Sequence, residues 1–164
     1  LLHDVGKLGV SSSILEKPGK LTDEEFRAVQ QHARLTEEIL SKMAQFDELA
    51  TVAGAHHERL DGNGYPRRLK GSQMSIEERV LALADVFEAL TAADRPYKSA
   101  KTISESLRLM ANMCRENHLD KERVGYFLQS YLWLEYAKDF LSADQIDEVD
   151  IDQLIALANS TSDA

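Results

Sequence analysis

Apolar positions along the 164-residue chain recur mostly every three to four residues and almost nowhere in strict alternation. Over 22–43, Phe26, Val29, Ala33, Thr36, Leu40 and Met43 share one helical face, and His32 borders it. A capping box marks the start of that helix: Thr22 and Glu25 each have a side chain placed to satisfy an orphan amide of the first turn. Ser75 with Glu78 and Thr102 with Glu105 mark two further starts in the same way. A second helix is expected over 46–57, with Phe46, Leu49, Ala53 and His56 on one stripe and His57 one step round, so that both histidines can point inward. A third, over 76–93, is apolar almost all round in "RVLALADVFEAL", the mark of a helix in the middle of a bundle, and Asp85 sits inside it. Helices over 103–116 and 121–140 follow, then short helical pieces in "ADQIDEVDIDQLIALA". The expected fold class is all-α, a helical bundle.

The opening "LLHDVGKLG" reads as the last turn of a helix ending at Gly6 with no body before it, so the N-terminal helices of the bundle are expected to be missing from this chain. Internal repeats and low-complexity tracts are absent and there are only three prolines. Residues 1–164 are therefore expected to form a single domain truncated at its N-terminus, with its chemical motifs in 1–100 and C-terminal helices in 101–164.

Composition narrows the setting. The length suffices for a genuine core, and a lone cysteine, Cys114, excludes a disulfide framework and a cysteine-based zinc module, which fits a cytoplasmic protein. No apolar run approaches about 18 residues, and the opening lacks the pattern of a signal peptide. A net charge of −9 disfavours polymeric nucleic acid and anionic membrane surfaces. An anionic ligand would need positive charge supplied locally.

His3, Asp4, His32, His56, His57 and Asp85 all lie near helix ends or on inner faces. Taken singly, each has an ordinary reading: a core histidine, a helix-end imidazolium, a paired carboxylate. Taken together they pose a problem, because a carboxylate in "LALADVF" costs several kcal/mol unless paired, hydrogen-bonded or metal-bound, and lysine and arginine are scarce on those faces. A metal resolves it. Imidazole and carboxylate together suit Fe, Mn, Zn or Ni, and the lack of thiolates argues against a purely structural zinc. Six candidates exceed one tetrahedral ion and would fill much of the shell of two ions about 3.5–4 Å apart, with adjacent His56 and His57 serving different ions.

At these residues the sequence resembles the HD-GYP family of the HD-superfamily metal-dependent phosphohydrolases. "LLHDVGKLGV", "ILEKPGKLTDEEF", "HHERLDGNGYPRRLKG" and "LALADVFEALTAADRPYK" stand in the family's order and spacing over residues 1 to about 100. The resemblance implies an all-helical fold, a centre of two or sometimes three ions, often iron or manganese, and hydrolysis of the bacterial second messenger cyclic di-GMP to the linear dinucleotide or GMP. It makes His3 and Asp4 the paired HD ligands, with Asp4 bridging, and His32, His56, His57 and Asp85 the remaining ones. Lys7 matches a lysine that contacts substrate phosphate, and Gly64, Tyr65 and Pro66 form the GYP loop. Three departures stand out: the family's further ligand on a preceding helix has no counterpart here, Ala33 replaces a common proline, and Glu88 replaces a common aspartate, a change expected to be neutral.

The expected reaction is in-line attack on a phosphodiester by water activated between two ions, with Lys7 stabilising charge on the non-bridging oxygens. Four positive charges in one cleft would hold a dianionic substrate on an acidic protein. Arg95 and Lys98 in "DRPYK" are candidates for the second phosphate or a guanine edge, or else belong to a solvated loop. Tyr65 can stack on a base or hold its loop closed. The competing functions are an HD-type hydrolase of another nucleotide and a module without turnover that senses cyclic di-GMP or docks signalling partners. In this family a regulatory receiver or sensory domain commonly precedes the catalytic one.

Overall fold

The computed structural model describes residues 2–92 and 101–160. Helices are α1 (Ser12–Leu15), α2 (Asp23–Leu40), α3 (Asp47–Gly54), α4 (Ile76–Thr91), α5 (Ile103–Arg115), α6 (Lys121–Ser130), α7 (Leu132–Phe140) and α8 (Ile151–Asn159), with 3-10 turns at Val5–Gly9, Gly71–Gln73 and Ala143–Gln145. Among the described residues there is no strand, only one isolated bridge between Asp61 and Lys70, so the class is all-α. No helix among them is long and apolar enough to cross a membrane. Residue contacts group the chain into two units, Leu1–Ala82 and Leu83–Ala164.

All three capping boxes form. Thr22 Oγ1 accepts from Glu25 N–H while the Glu25 carboxylate accepts from Thr22 N–H, and Thr102 with Glu105 repeats the arrangement. Ser75 and Glu78 make the same reciprocal pair at 2.8 and 3.2 Å. Such a cap contributes about 0.5–2 kcal/mol and fixes where each helix begins.

In the first unit, α2 packs on the Val5–Gly9 turn and on α3. Leu40, Ala50 and Ala53 form a buried apolar cluster, with Val5 and Phe46 against it. The same unit also buries polar side chains: His32, Thr36, His56, Glu58 and Glu78. The second unit is more conventional. Phe87, Ile103, Leu107, Met110, Leu128 and Trp133 belong to one apolar cluster, each large side chain contributing about 1.5–3 kcal/mol by leaving water.

Several expectations need correction. Gly6 does not end a helix; it lies inside the Val5–Gly9 turn, where a Cβ would stand 2.0 Å from His32 O. The glycine is there for close approach to α2. Helix α2 stops at Leu40 rather than 43, and Phe26 and Met43, placed on its inner stripe, are exposed. Helix α3 ends at Gly54, so His56 and His57 lie in the turn beyond it, and Leu49 of the expected stripe is exposed. Ile76 and Val80 of α4 are exposed as well, which apolar residues on a protein surface often are. The helix expected over 121–140 is two helices, broken at Tyr131, whose φ of 57° is left-handed. That break lets Trp133 turn inward, its Nε1–H donating to Leu128 O at 3.0 Å.

Candidate metal centre

His32 projects from α2 and is fully buried. Its Nδ1 lies 2.6 Å from the carbonyl of Val29, one turn back. His56 repeats the device, its Nδ1 lying 2.8 Å from Ala53 O at the end of α3. A carbonyl only accepts, so each ring carries its proton on Nδ1 and presents an Nε2 lone pair. These two nitrogens are 3.0 Å apart. Two lone pairs at that distance repel unless a cation, a proton or a metal ion, stands between them. The separation is well under twice the usual metal–imidazole distance of about 2.0–2.1 Å, so one ion can reach both.

His57 completes a triplet: ligand atoms of His32, His56 and His57 lie within 4.8 Å of one another. Its ring centroid is 4.1 Å from that of His56 and 5.0 Å from that of His32. The negative charge comes from Asp4. Its Oδ1 is 3.4 Å from His32 Nε2 and 3.9 Å from His56 Nε2, and its Oδ2 is 3.5 Å from His3 Nε2. Burial alone would raise the Asp4 pKa; hydrogen bonds from His3 and Lys7, and the charge of both, outweigh it and hold the carboxyl well below the usual carboxylate range. An ionised carboxylate facing imidazole lone pairs is the donor set of a divalent transition-metal site.

The backbone places these groups by contacts far apart in sequence. Thr36, one turn beyond His32 on α2, accepts from Gly6 N–H at 2.9 Å and donates to His3 O at 2.8 Å. One hydroxyl thus pins the His3–Asp4 segment against the helix that carries His32. On the other side, Gly64 lies so close to the backbone of residues 57–59 that a Cβ would come within 2.6 Å of it. Tyr65 N–H donates to His57 O at 3.2 Å, and the Tyr65 ring centroid is 4.8 Å from that of His57. Lys7 Nζ is 2.7 Å from Asp4 Oδ2, at the exposed edge of the cluster.

Of the residues expected at a site, the structure brings together His3, Asp4, Lys7, His32, His56, His57 and the loop of Gly64, Tyr65 and Pro66. Asp85 is half-buried on α4 in the second unit, and Arg95 and Lys98 fall outside the described residues. Ala33 is fully buried and Glu88 exposed. Two buried residues of the site carry no motif of their own in the sequence: Glu58, next to His57, and Thr36, whose place on the apolar face of α2 marks it only as a core position. A threonine one turn from a histidine on an apolar face, and a glutamate directly after a histidine pair, were the available signals.

The model of the HD domain family matches residues 1–122. The chain is 56% identical over 110 residues to the 3'3'-cGAMP-specific phosphodiesterase 3 of Vibrio cholerae, covering 67% of this chain and 24% of that protein. It is 46% identical over 108 residues to the cyclic di-GMP phosphodiesterase response regulator RpfG of Xanthomonas campestris, covering 65% and 28%. With a cyclic di-GMP phosphodiesterase of Thermotoga maritima it shares 45% identity over 109 residues, 65% and 29%. The chain thus spans about a quarter of the length of these relatives. It belongs to the HD domain family, in its HD-GYP branch. HD phosphohydrolases are metal-dependent, and the histidine cluster has the donors to hold a metal.

Proposed function

We propose that this chain is the HD-GYP module of a cytoplasmic bacterial signalling protein, a metal-dependent phosphodiesterase that hydrolyses cyclic di-GMP to the linear dinucleotide, GMP or both. The observation that carries the reading is the pair of buried Nε2 atoms 3.0 Å apart beside an ionised Asp4. A protein interior does not hold two facing lone pairs and a carboxylate together without a cation. We assign His3, Asp4, His32, His56, His57 and Asp85 as ligands of two ions, or three; the donor set suits Fe, Mn, Zn or Ni, and the resemblance to the HD-GYP family favours iron or manganese among them. When bound, these ions supply the Lewis acidity that polarises a phosphodiester and activates the attacking water.

The chain's own residues do the remaining work. Lys7 places an ammonium at the exposed rim of the cluster, 2.7 Å from Asp4, where it can meet a non-bridging phosphate oxygen as charge develops there. The face of Tyr65, beside His57, offers a stacking surface for a base, and Gly64 and Pro66 set the path of the backbone around it. Arg95 and Lys98 keep their assignment to the second phosphate or a guanine edge, since a guanidinium fork matches either. The relatives' names support the substrate class. We take residues 1–164 as one domain.

A second reading has a specific observation in its favour: the relative at 56% identity is named for 3'3'-cGAMP. Both readings are tested by loading the chain anaerobically with Fe(II) or Mn(II) and following cyclic di-GMP and 3'3'-cGAMP hydrolysis in parallel, with Asp4→Ala as control. Turnover of cyclic di-GMP that vanishes in the variant supports the proposal, and a preference for 3'3'-cGAMP shifts the substrate. Metal uptake without turnover of either one sinks the enzymatic reading and leaves a sensor or docking module.

A further inference from the structure

Glu58 is the residue after the adjacent histidines, and it is 1% exposed. Its carboxylate points at the backbone of the loop that follows Gly64, Tyr65 and Pro66. Oε1 accepts from Arg67 N–H at 2.6 Å and Oε2 from Leu69 N–H at 2.8 Å. Arg68, between the two donors, is left-handed at φ 55°, the turn that aims alternate amides toward one side. The loop is thus wrapped around a single carboxylate. Because Glu58 directly follows His57, the same short stretch of chain carries the imidazole and the anchor of the loop that faces it.

Arg67 extends the anchorage. Its Nη2 donates to Thr51 O on α3 at 3.0 Å and to Glu78 Oε1 at 2.8 Å. Glu78 is itself buried and caps α4. The guanidinium therefore ties the loop to α3, which leads into His56 and His57, and to the start of α4. Gly64, with no room for a Cβ against residues 57–59, closes the near side.

We infer that Glu58 is a positioning residue: by holding the Arg67 and Leu69 amides it fixes Tyr65 against His57 and makes the loop a rigid wall of the cleft in which substrate sits. The inference rests on the function proposed above and adds to it a residue that touches neither metal nor substrate. A buried carboxylate accepting two backbone hydrogen bonds is a strong fixture, because charge-assisted bonds are about twice as strong as neutral ones. A glutamine at 58 keeps the shape but turns an NH2 group toward one of the two N–H donors, so one contact becomes repulsive.

The test compares wild type, Glu58→Gln and Glu58→Asp in the full chain. Three measurements are made on each: exchange rates of the Arg67 and Leu69 amide protons by NMR, Mn(II) content per chain, and kcat and KM for cyclic di-GMP. In Glu58→Gln the two amides are expected to exchange at least about tenfold faster while those in the middle of α2 keep their rates. Mn(II) content stays at the wild-type value, and KM rises about tenfold with a much smaller change in kcat, as expected when a binding wall loosens and the reacting groups do not. Glu58→Asp, which keeps the charge, restores part of both effects. It also stands in if the glutamine variant fails to fold.

Unchanged amide exchange overturns the inference, because the carboxylate would then not be what holds the loop. A loss of Mn(II) in step with activity also overturns it, since Glu58 would then act by shaping the histidine cluster. Faster exchange with KM and kcat untouched does the same by removing the loop from the binding wall. If wild type turns over no cyclic dinucleotide, the functional proposal fails instead. The clamp is then judged by amide exchange together with equilibrium binding of cyclic di-GMP to the Mn(II)-loaded chain, where equal binding by wild type and both variants, or none by any, overturns it.

Discussion

Replacing Thr36 by valine removes one oxygen atom and almost no volume, yet it should disturb both stability and metal binding. The hydroxyl is fully buried, accepts from Gly6 N–H at 2.9 Å and donates to His3 O at 2.8 Å. Valine leaves both backbone groups without that partner. An unsatisfied buried polar group costs about 1–3 kcal/mol, and with the His3 carbonyl only partly buried the sum should be about 2–4 kcal/mol. Thr36→Ser is the control, since it keeps the hydroxyl and gives up a methyl group worth about 1 kcal/mol. Urea denaturation followed by circular dichroism gives the stabilities, and calorimetric titration with Mn(II) gives the affinity. The valine variant should be the less stable of the two and should bind Mn(II) more weakly, because the His3–Asp4 segment is no longer pinned to the helix bearing His32. If serine and valine destabilise equally and Mn(II) affinity is unchanged in both, the hydroxyl bridge does not position the segment and the reasoning fails.

Two further expectations concern titrating groups away from the cluster. Burial would raise the Asp61 pKa, but hydrogen bonds from Arg59 and from the Asn63 backbone and side chain outweigh it, holding the carboxyl at about 2 against an ordinary value of 3.8. The native state thus favours the ionised form, so its stabilising contribution is present above about pH 4 and is lost as the pH falls toward 2. The stability difference between wild type and Asp61→Asn should therefore shrink over that window, and a difference independent of pH would refute it. Burial, reinforced by the charge of Asp120, pushes the Cys114 thiol up to about 12. Iodoacetamide at pH 8 should leave the folded chain unmodified and alkylate it only in urea; rapid labelling of the native protein would show that the thiol is accessible.

The helix starts were legible because a capping box is a local device, complete within four residues, and the boxes at Thr22, Ser75 and Thr102 all form. Helix ends were less so. Nothing in "FLQSYLWLEY" announces that Tyr131 is left-handed, because the break follows from where Trp133 finds room to bury its ring. The histidine pair was legible as a site but assigned to a helix it lies just beyond, since the apolar period continues past Gly54 although the helix does not. Gly6 was legible as a special position and explained by the wrong mechanism: it meets α2 closely and ends no helix. Tertiary contacts of this kind, between residues some 30 positions apart, leave no periodic trace.

The buried polar residues of the first unit share one logic. His32 and His57 each have a neighbour in sequence that fixes the surroundings of the cluster through backbone. His32 and Thr36 stand one turn apart on α2, so the helix that presents an imidazole also grips the segment carrying His3 and Asp4. His57 and Glu58 are adjacent, so the turn that presents another imidazole also grips the loop carrying Tyr65. His32 and His56 are oriented through Nδ1 by carbonyls of their own preceding turns. Orientation therefore comes from elements already required by the fold, which is what a site that must turn several imidazole lone pairs toward one cation requires. Loosening either grip should disturb one side of the cluster and spare the other: Thr36→Val the His3–Asp4 side, Glu58→Gln the Tyr65 side. Two variants with the same profile of metal loss and KM change would refute that division.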